Sequence, residues 1–69
     1  MIILFSERLQ QLRKEKGLTQ VELAKILNTT QRRISYMESG KVEPDLSTLA
    51  ILSKFFDVST DYLIGIKEY

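Results

Sequence analysis

The sequence contains neither cysteine nor histidine. The lack of cysteine excludes disulfides and thiolate metal sites, and it means that cysteine usage gives no information on the redox compartment. The lack of histidine removes the most common zinc ligand and the most common general base of enzymes. We therefore expect no bound metal and no cofactor, and the composition argues against an enzyme.

Long apolar runs are also missing. The opening MIILF is apolar over only five residues and has no basic lead, so it predicts neither a signal peptide nor a membrane span. With 69 residues, of which 43% are hydrophobic and 28% charged, the chain has the composition of one small globular domain over residues 1–69. These features predict a cytoplasmic protein.

The net charge is small, but the charges are unevenly placed. The whole chain carries only +1, which alone is a weak argument for a nucleic-acid partner. Residues 13–41 hold seven basic and three acidic side chains, whereas residues 42–69 hold two basic and five acidic ones. One part of the chain is therefore basic and the other acidic, which suits a polyanion approached from one side. Such asymmetry is also often incidental in a small domain.

Apolar residues recur at helical spacing along the chain, and no window alternates as a strand would. This pattern predicts an all-α fold of five short helices. The predicted helices run from Ser6 to Lys16, from Thr19 to Asn28, from Thr30 to Glu38, from Asp45 to Phe56 and from Ser59 to Gly65. Their predicted inner faces and the rest of the core comprise Phe5, Leu9, Leu12, Leu18, Leu23, Ala24, Leu27, Leu46, Leu49, Leu52, Phe56, Val58 and Leu63.

Several helix ends are marked by the sequence. Ser6, Thr30, Asp45 and Ser59 are residues that commonly cap a helix N-terminus. Thr19 with Glu22 forms the T-x-x-E pattern of a capping box. The predicted stops are residues that tolerate a left-handed backbone, and they are Gly17, Asn28, Gly40 and Gly65.

The third predicted helix has a polar outer face. If Ile34 points inward, steps of about 100° per residue place Thr30 and Met37 on its side and Arg32 and Tyr36 about 160° away. Ser35 and Ser39 lie beside these outer residues, and Gln31 and Arg33 flank the N-terminal end of the helix. Such a face is either an ordinary solvated surface or a surface for bases and phosphates, which Arg, Gln, Ser and Tyr can contact. Only about three residues, 28–30, separate this helix from the previous one, and this short connection favours a helix-turn-helix.

Longer motifs extend this pattern over most of the chain. They are L-T-Q-x-E-L-A in the second helix, T-Q-x-x-I-S in the third, E-x-G-K at its end and D-V-S-x-D-Y-L-x-G at residues 57–65. With these motifs the chain resembles the helix-turn-helix domain of the phage repressor family, also called the Cro/CI or XRE family, from about residue 5 to residue 65. The resemblance implies a compact, five-helix, lambda-repressor-like fold. It also implies a regulator of transcription, expected to be a repressor, that reads double-stranded operator DNA through the major groove.

The resemblance also implies roles for individual residues. The base-reading positions are occupied by Gln31, Arg32, Arg33 and Tyr36, of which Arg33 either reads a base edge or holds phosphate. Phosphate contacts are expected from Thr19, Gln20, Ser35 and Lys41, together with the backbone amides of residues 40–43. Thr19 has a second role as a helix cap, which we expect to be its main one.

Two positions depart from the family pattern. Asn28 stands where glycine is usual, but asparagine tolerates the same backbone. Glu43 places an acid in a loop that is basic in many relatives. This acid either weakens DNA affinity or means that the loop holds phosphate through its amides.

Arg13 and Glu38 match a pair that forms a buried or half-buried salt bridge in relatives. The alternative is that Arg13 belongs to the basic DNA face. The salt bridge is favoured because Glu38 lies on the inward side of the third helix.

Family resemblance further implies a homodimer on a near-palindromic operator. The sequence holds more apolar side chains than one small core needs, and a candidate dimer surface comprises Ile51, Phe55, Tyr62, Ile64 and Ile66. The alternative is that Phe55 and Tyr62 simply enlarge the core. A protein-interaction module such as an antitoxin, which binds a protein partner, is a further alternative to a DNA-binding regulator.

Overall fold

The computed structural model describes residues 3–68, so Met1, Ile2 and Tyr69 of the predicted domain lie outside the described residues. Its helices are α1 (Phe5–Glu15), α2 (Gln20–Ile26), α3 (Gln31–Glu38), α4 (Leu46–Phe56) and α5 (Thr60–Ile64). Residues 3–68 contain no strand. The predicted all-α fold with five helices is therefore confirmed.

Side-chain caps open four of the five helices. The hydroxyl or carboxylate of Thr19, Thr30, Asp45 and Ser59 accepts a hydrogen bond from the backbone N–H three residues later. The carboxylate of Glu22 in turn accepts a hydrogen bond from the backbone N–H of Thr19 at 2.9 Å, which completes the predicted capping box. This bond from the Thr19 backbone holds the pKa of Glu22 below its ordinary value.

The first helix does not begin as predicted. It starts at Phe5, and its N-cap is Leu4, which has no side-chain cap, so Ser6 lies inside the helix. The backbone N–H of Leu4 instead donates to the carbonyl oxygen of Ile64 at 2.8 Å. The start of α1 is therefore attached to the end of α5, a contact between distant residues that local propensity does not show.

Left-handed residues end the helices and turn the chain. Asn28, at φ 54°, occupies the predicted turn between α2 and α3. Gly17, Gly40 and Gly65 also have positive φ, as predicted. Asp57, at φ 56°, ends α4 in the same conformation, and this stop was not predicted.

The core lies where all five helices meet. Its fully buried side chains come from every helix and are Leu9, Leu23, Ile34, Met37, Leu52 and Leu63. Phe5, Leu12, Ala24 and Phe56 are also buried, while Leu18, Leu27, Leu49 and Val58 are half-buried. Thr30, predicted on the inner side of α3, is exposed because it serves as the cap in front of the first turn.

The inner face of α4 is rotated from the predicted one. Leu46 was assigned to the core, but it is 85% exposed. Thr48 takes the inner position in the first turn and is 8% exposed, in register with the buried Leu52 and Phe56 at four-residue steps. The Thr48 hydroxyl lies 3.5 Å from Nη1 of Arg33, so the inward-facing hydroxyl has a polar partner on α3.

Arg8 is a buried residue that the sequence pattern did not single out. Its guanidinium donates to the carbonyl oxygens of Tyr62 at 2.7 Å and Lys67 at 2.9 Å, and it pairs with Glu68 at 3.3 Å. It also lies 4.1 Å from the centre of the Tyr62 ring. Arg8 thereby ties α1 to α5 and to the residues that follow α5.

Candidate nucleic-acid interface

Helices α2 and α3 form one unit with a tight connection. Leu23 and Ala24 of α2 and Ile34 and Met37 of α3 are buried in the same core. The left-handed Asn28 reverses the chain, and the N–H of Thr29 donates to the carbonyl oxygen of Ala24 at 2.9 Å. This is the predicted helix-turn-helix, in which α2 and the core support α3 from behind.

The outer face of α3 is polar, as its periodicity predicted. Ile34 and Met37 are 0% exposed and anchor the helix. On the opposite side, Arg32 is exposed and Tyr36 is half-buried, while Gln31 is exposed in the first turn. Ser35 is also half-buried. Arg32 and Tyr36 therefore share the outer face of α3, with Gln31 beside it in the first turn, while the roles of all three toward DNA remain predictions.

Arg33 differs from the other predicted base-reading residues. Its Nη2 lies 3.6 Å from Oδ2 of Asp45, and its Nη1 lies 3.5 Å from the hydroxyl of Thr48. The guanidinium is thus directed toward the N-terminus of α4. The pKa of Asp45 is lowered mainly by the hydrogen bond from the Thr48 backbone N–H, with a smaller contribution from the positive charge of Arg33.

Arg13 and Glu38 form the ion pair that the family pattern implied. Nε and Nη2 of Arg13 donate to the two carboxylate oxygens at 2.6 Å and 3.1 Å, and Nη1 donates to the carbonyl oxygen of Leu18. The two side chains are only 11% and 4% exposed. Arg13 is therefore engaged inside the protein, between α1 and the end of α3.

Glutamine side chains connect this ion pair to the outer face of α3. Nε2 of Gln20 donates to Oε1 of Glu38 at 3.1 Å, and Nε2 of Gln31 donates to Oε1 of Gln20 at 3.4 Å. Gln20 thus stands between an exposed candidate base-reading residue and a buried carboxylate. Periodicity does not reveal this chain of bonds, because its members lie on three helices.

The loop after α3 uses its backbone groups internally. The N–H groups of Lys41 and Val42 donate to the carbonyl oxygen of Tyr36 at 2.9 Å and 3.3 Å, and that of Gly40 donates to Met37 at 3.4 Å. Three of the four amides predicted to hold phosphate are therefore engaged in ending the helix. The exposed side chain of Lys41 is the cationic group that this loop offers.

Two cationic side chains lie near the ring of Tyr36, one from a residue before it in the sequence and one from a residue after it. The guanidinium carbon of Arg32 lies 5.7 Å from the ring centre, and Nζ of Lys41 lies 5.3 Å from it. Both distances are within the range of cation–π attraction, about 6 Å. Arg32 and Lys41, both predicted to contact DNA, thus each approach the ring of Tyr36.

Thr19 and Gln20 lie at the start of α2. The Thr19 hydroxyl accepts the bond from the Glu22 N–H at 3.1 Å, so its role as a cap is confirmed. Gln20 is half-buried and engaged with Glu38. Their contacts with phosphate remain predictions.

The candidate dimer surface is only partly exposed. Ile51 and Ile66 are 46% and 55% exposed. Phe55 and Tyr62 are half-buried and pack against the core, so part of their apolar area belongs to this domain. Ile64 is half-buried as well. The exposed part of the set is therefore smaller than the sequence suggested.

Residues 3–68 contain neither a cluster of metal ligands nor a helix suited to a membrane. No group of three or more acidic side chains is arranged to hold a metal ion there. In the same part of the chain, no helix has the length and apolar character needed to cross a membrane.

Comparison with known proteins gives consistent matches. A helix-turn-helix family model matches residues 9–63. The chain is 47% identical to the HTH-type transcriptional activator BcrR of Enterococcus faecalis over 64 residues, which are 93% of this chain and 31% of the activator. The chain thus spans about a third of that relative, and about half of two regulators from Bacillus subtilis.

Solved structures with the same fold include two close matches. A transcriptional regulator from Listeria innocua superposes with a TM-score of 0.90 and 37% identity, over 94% of this chain and 61% of that one. The P22 c2 repressor, solved in complex with a synthetic operator, superposes with a TM-score of 0.84 and 32% identity, over 91% of this chain and 96% of that one. Both matches cover more than nine-tenths of this chain.

Proposed function

Because the chain belongs to the helix-turn-helix family, we propose that it binds specific double-stranded DNA sites and regulates transcription. The main observation in support is the outer face of α3, where Arg32 and Tyr36 lie together and Gln31 is exposed in the first turn. The buried Ile34 and Met37 hold this face in place. The similar P22 c2 repressor is a repressor solved with operator DNA. On this proposal α3 enters the major groove.

The base-reading side chains have chemistry that suits the groove. The guanidinium of Arg32 can donate two bonds to guanine, and the amide of Gln31 can donate to and accept from adenine. The bond from Gln31 to Gln20 limits the orientations of the Gln31 amide before DNA arrives. The side chain of Tyr36 forms the rest of this base-reading surface, next to Arg32.

Phosphate contacts are proposed at both ends of this surface. Thr19 and Gln20 lie at the start of α2, while Ser35 and the exposed Lys41 lie toward the other end. Such contacts set the position of the protein on the duplex without reading its sequence. Arg33 is proposed as a conditional contact, because its guanidinium must leave Asp45 before it reaches DNA.

We propose that the protein acts as a homodimer on a near-palindromic site. The exposed Ile51 and Ile66, with the neighbouring Phe55, Tyr62 and Ile64, are the surface we assign to the partner subunit. Two such domains would place their α3 helices in successive major grooves, one helical turn apart.

Repression is the direction of regulation we propose, because occupancy of DNA is sufficient for it. Activation is the second candidate, and the name of the E. faecalis relative favours it.

Selection of bound sites from random duplex DNA tests this function. We expect a recovered site with two inverted half-sites about ten base pairs apart. Affinity for that site should fall steeply with salt, because each neutralised phosphate contributes a slope of about −0.9 on logarithmic axes. Arg32→Ala should remove the preference for this site while leaving the fold intact. Recovery of no preferred sequence, or affinity that salt leaves unchanged, would favour a protein-binding module such as an antitoxin instead.

A further inference from the structure

The end of α3 brings Lys41 next to Tyr36 through its backbone. The N–H of Lys41 donates to the carbonyl oxygen of Tyr36 at 2.9 Å, and Gly40 adopts the left-handed conformation with φ 81°. The N–H of Gly40 also donates to the carbonyl oxygen of Met37. This pair of bonds is a Schellman motif, which packs the second residue after the helix against the last turn. The position of Lys41 beside Tyr36 is therefore fixed by how the helix ends.

Arg32 approaches the same ring from within the helix. It precedes Tyr36 by four residues, so the two side chains lie one turn apart on one face. Its guanidinium carbon is 5.7 Å from the ring centre, and Nζ of Lys41 is 5.3 Å from it. Both cationic residues are exposed, whereas Tyr36 is half-buried. The ring is thus the more buried member of this group, and two exposed cationic side chains lie near it.

A cation held by the face of a ring keeps its hydrogen-bond donors. The five N–H donors of a guanidinium lie in its own plane, and an ammonium has three donors. Attraction to the ring therefore restricts the side chain without occupying the donors that DNA needs. Restricting a flexible side chain beforehand reduces the entropy lost on binding.

From these contacts we propose that Tyr36 is a positioning residue, whose ring holds Arg32 for a base and Lys41 for a phosphate at the same time. This inference rests on the proposed DNA-binding function and adds a role for Tyr36 to it. The competing role is a direct contact between the phenolic hydroxyl and DNA. The two roles differ in which part of the side chain is needed, the ring or the hydroxyl.

Two substitutions separate the ring from the hydroxyl. Tyr36→Phe keeps the ring and removes the hydroxyl, whereas Tyr36→Leu removes the ring and keeps an apolar side chain of high helix propensity. Tyr36→Met serves as a second ring-free variant if the leucine variant folds poorly. Thermal unfolding of each variant establishes that the fold is retained.

The first measurement is made without DNA. Protons close to the face of an aromatic ring are shifted upfield in NMR spectra. We expect upfield shifts for the Arg32 Hδ and Lys41 Hε protons in the parent chain and in Tyr36→Phe, and their loss in Tyr36→Leu. Unchanged Arg32 and Lys41 shifts in the leucine variant would overturn the proposed contact, whatever the protein does with DNA.

The second measurement is affinity for the selected site. Tyr36→Leu should weaken binding about tenfold in the parent chain, whereas Tyr36→Phe should weaken it less than about threefold. A double variant with Arg32→Ala and Lys41→Ala lacks both cations that the ring is proposed to hold. Adding Tyr36→Leu to this double variant should change its affinity by less than about threefold. The same tenfold loss in both backgrounds, or an equal loss for phenylalanine and leucine, would overturn the positioning role. If the parent chain itself selects no site, it is the proposed function that fails, while the NMR result still decides the contact.

Discussion

The carboxylate of Glu38 accepts hydrogen bonds from Arg13 on α1 and from Gln20 on α2, at 2.6 Å and 3.1 Å for the shortest contact of each. Glu38 is the last residue of α3, so one buried anion joins the three helices of the N-terminal half. Burial of a charge is costly unless its partners are well placed, and here the arginine binds both oxygens. The orientation of α3 therefore depends on this contact as well as on apolar packing.

Arg13→Met should destabilise the protein and affect DNA binding only indirectly. The substitution leaves Glu38 buried without its main partner, which costs about 3–5 kcal/mol in comparable buried pairs. The free energy of unfolding in urea measures the loss. The matched control is Arg13→Met with Glu38→Met, which removes both charges and should recover much of the stability. Retained stability in the single variant together with selective loss of DNA affinity would place Arg13 on the DNA surface instead.

Asp45→Asn should strengthen DNA binding by releasing Arg33. Asparagine keeps the helix cap, so the fold should be unaffected, while the ion pair at 3.6 Å is lost. The freed guanidinium can then neutralise a phosphate. The slope of log affinity against log salt concentration should therefore become steeper by the amount expected for about one phosphate contact. Affinity at several salt concentrations provides the measurement.

The same substitution in an Arg33→Gln background is the control for Asp45→Asn. Removing an acid favours DNA binding whether or not Arg33 is involved, so only the difference between backgrounds reports on the pair. We expect most of the gain to disappear without Arg33. An equal gain in both backgrounds would show that Asp45 acts by its own charge.

Acid should weaken the fold through two helix caps. Hydrogen bonds from the backbones of Thr19 and Thr48 lower the pKa of Glu22 and of Asp45, respectively. Each carboxyl group binds its proton less tightly in the folded protein than in the unfolded chain. Its ionised form therefore stabilises the fold in full above the ordinary pKa of the group, about 4.3 for Glu and 3.9 for Asp. The stabilisation is lost as pH falls through the lowered values. Urea midpoints between about pH 2 and pH 6 should decrease in acid, and Glu22→Gln, which keeps a capping side chain, should flatten that decrease. A slope unchanged by Glu22→Gln would exclude this carboxyl as a source.

Leu46→Ala and Leu52→Ala should differ strongly although both remove a leucine from α4. Leu52 is fully buried, and its truncation leaves a cavity that costs about 2–5 kcal/mol. Leu46 is 85% exposed, so its truncation should change stability by less than about 0.5 kcal/mol. Chemical denaturation of the two variants compares them directly. Equal losses would restore Leu46 to the core, as the sequence pattern had suggested.

Much of the fold was predictable because its signals are local. Thr19, Thr30, Asp45 and Ser59 cap the helices that follow them, since a cap requires only a side-chain oxygen three residues before a free N–H. The outer face of α3 followed from the helical period, because Ile34 and Met37 fix the inner side. The roles of the outer residues came from the family resemblance and stay predictions.

Apart from the missed helix stop at Asp57, the errors concern contacts between distant residues. The start of α1 depends on a bond to Ile64, and the buried Arg8 depends on groups more than fifty residues away. The inner face of α4 was predicted wrongly because a sequence pattern assigns the more hydrophobic residue to the core. That criterion selected Leu46 and passed over Thr48. In the structure, Thr48 turns inward and its hydroxyl approaches Arg33.

The sequence by itself determined the number of helices, most of their caps, the tight turn at Asn28 and the polar face of α3, because each depends on neighbouring residues or on a fixed period. The tertiary structure decided which charges remain available on the surface. It paired Arg13 with Glu38 and Arg33 with Asp45, and it left Arg32 and Lys41 beside the ring of Tyr36. Identical arginines acquire these different roles because a partner from another helix lies within reach of some and not of others.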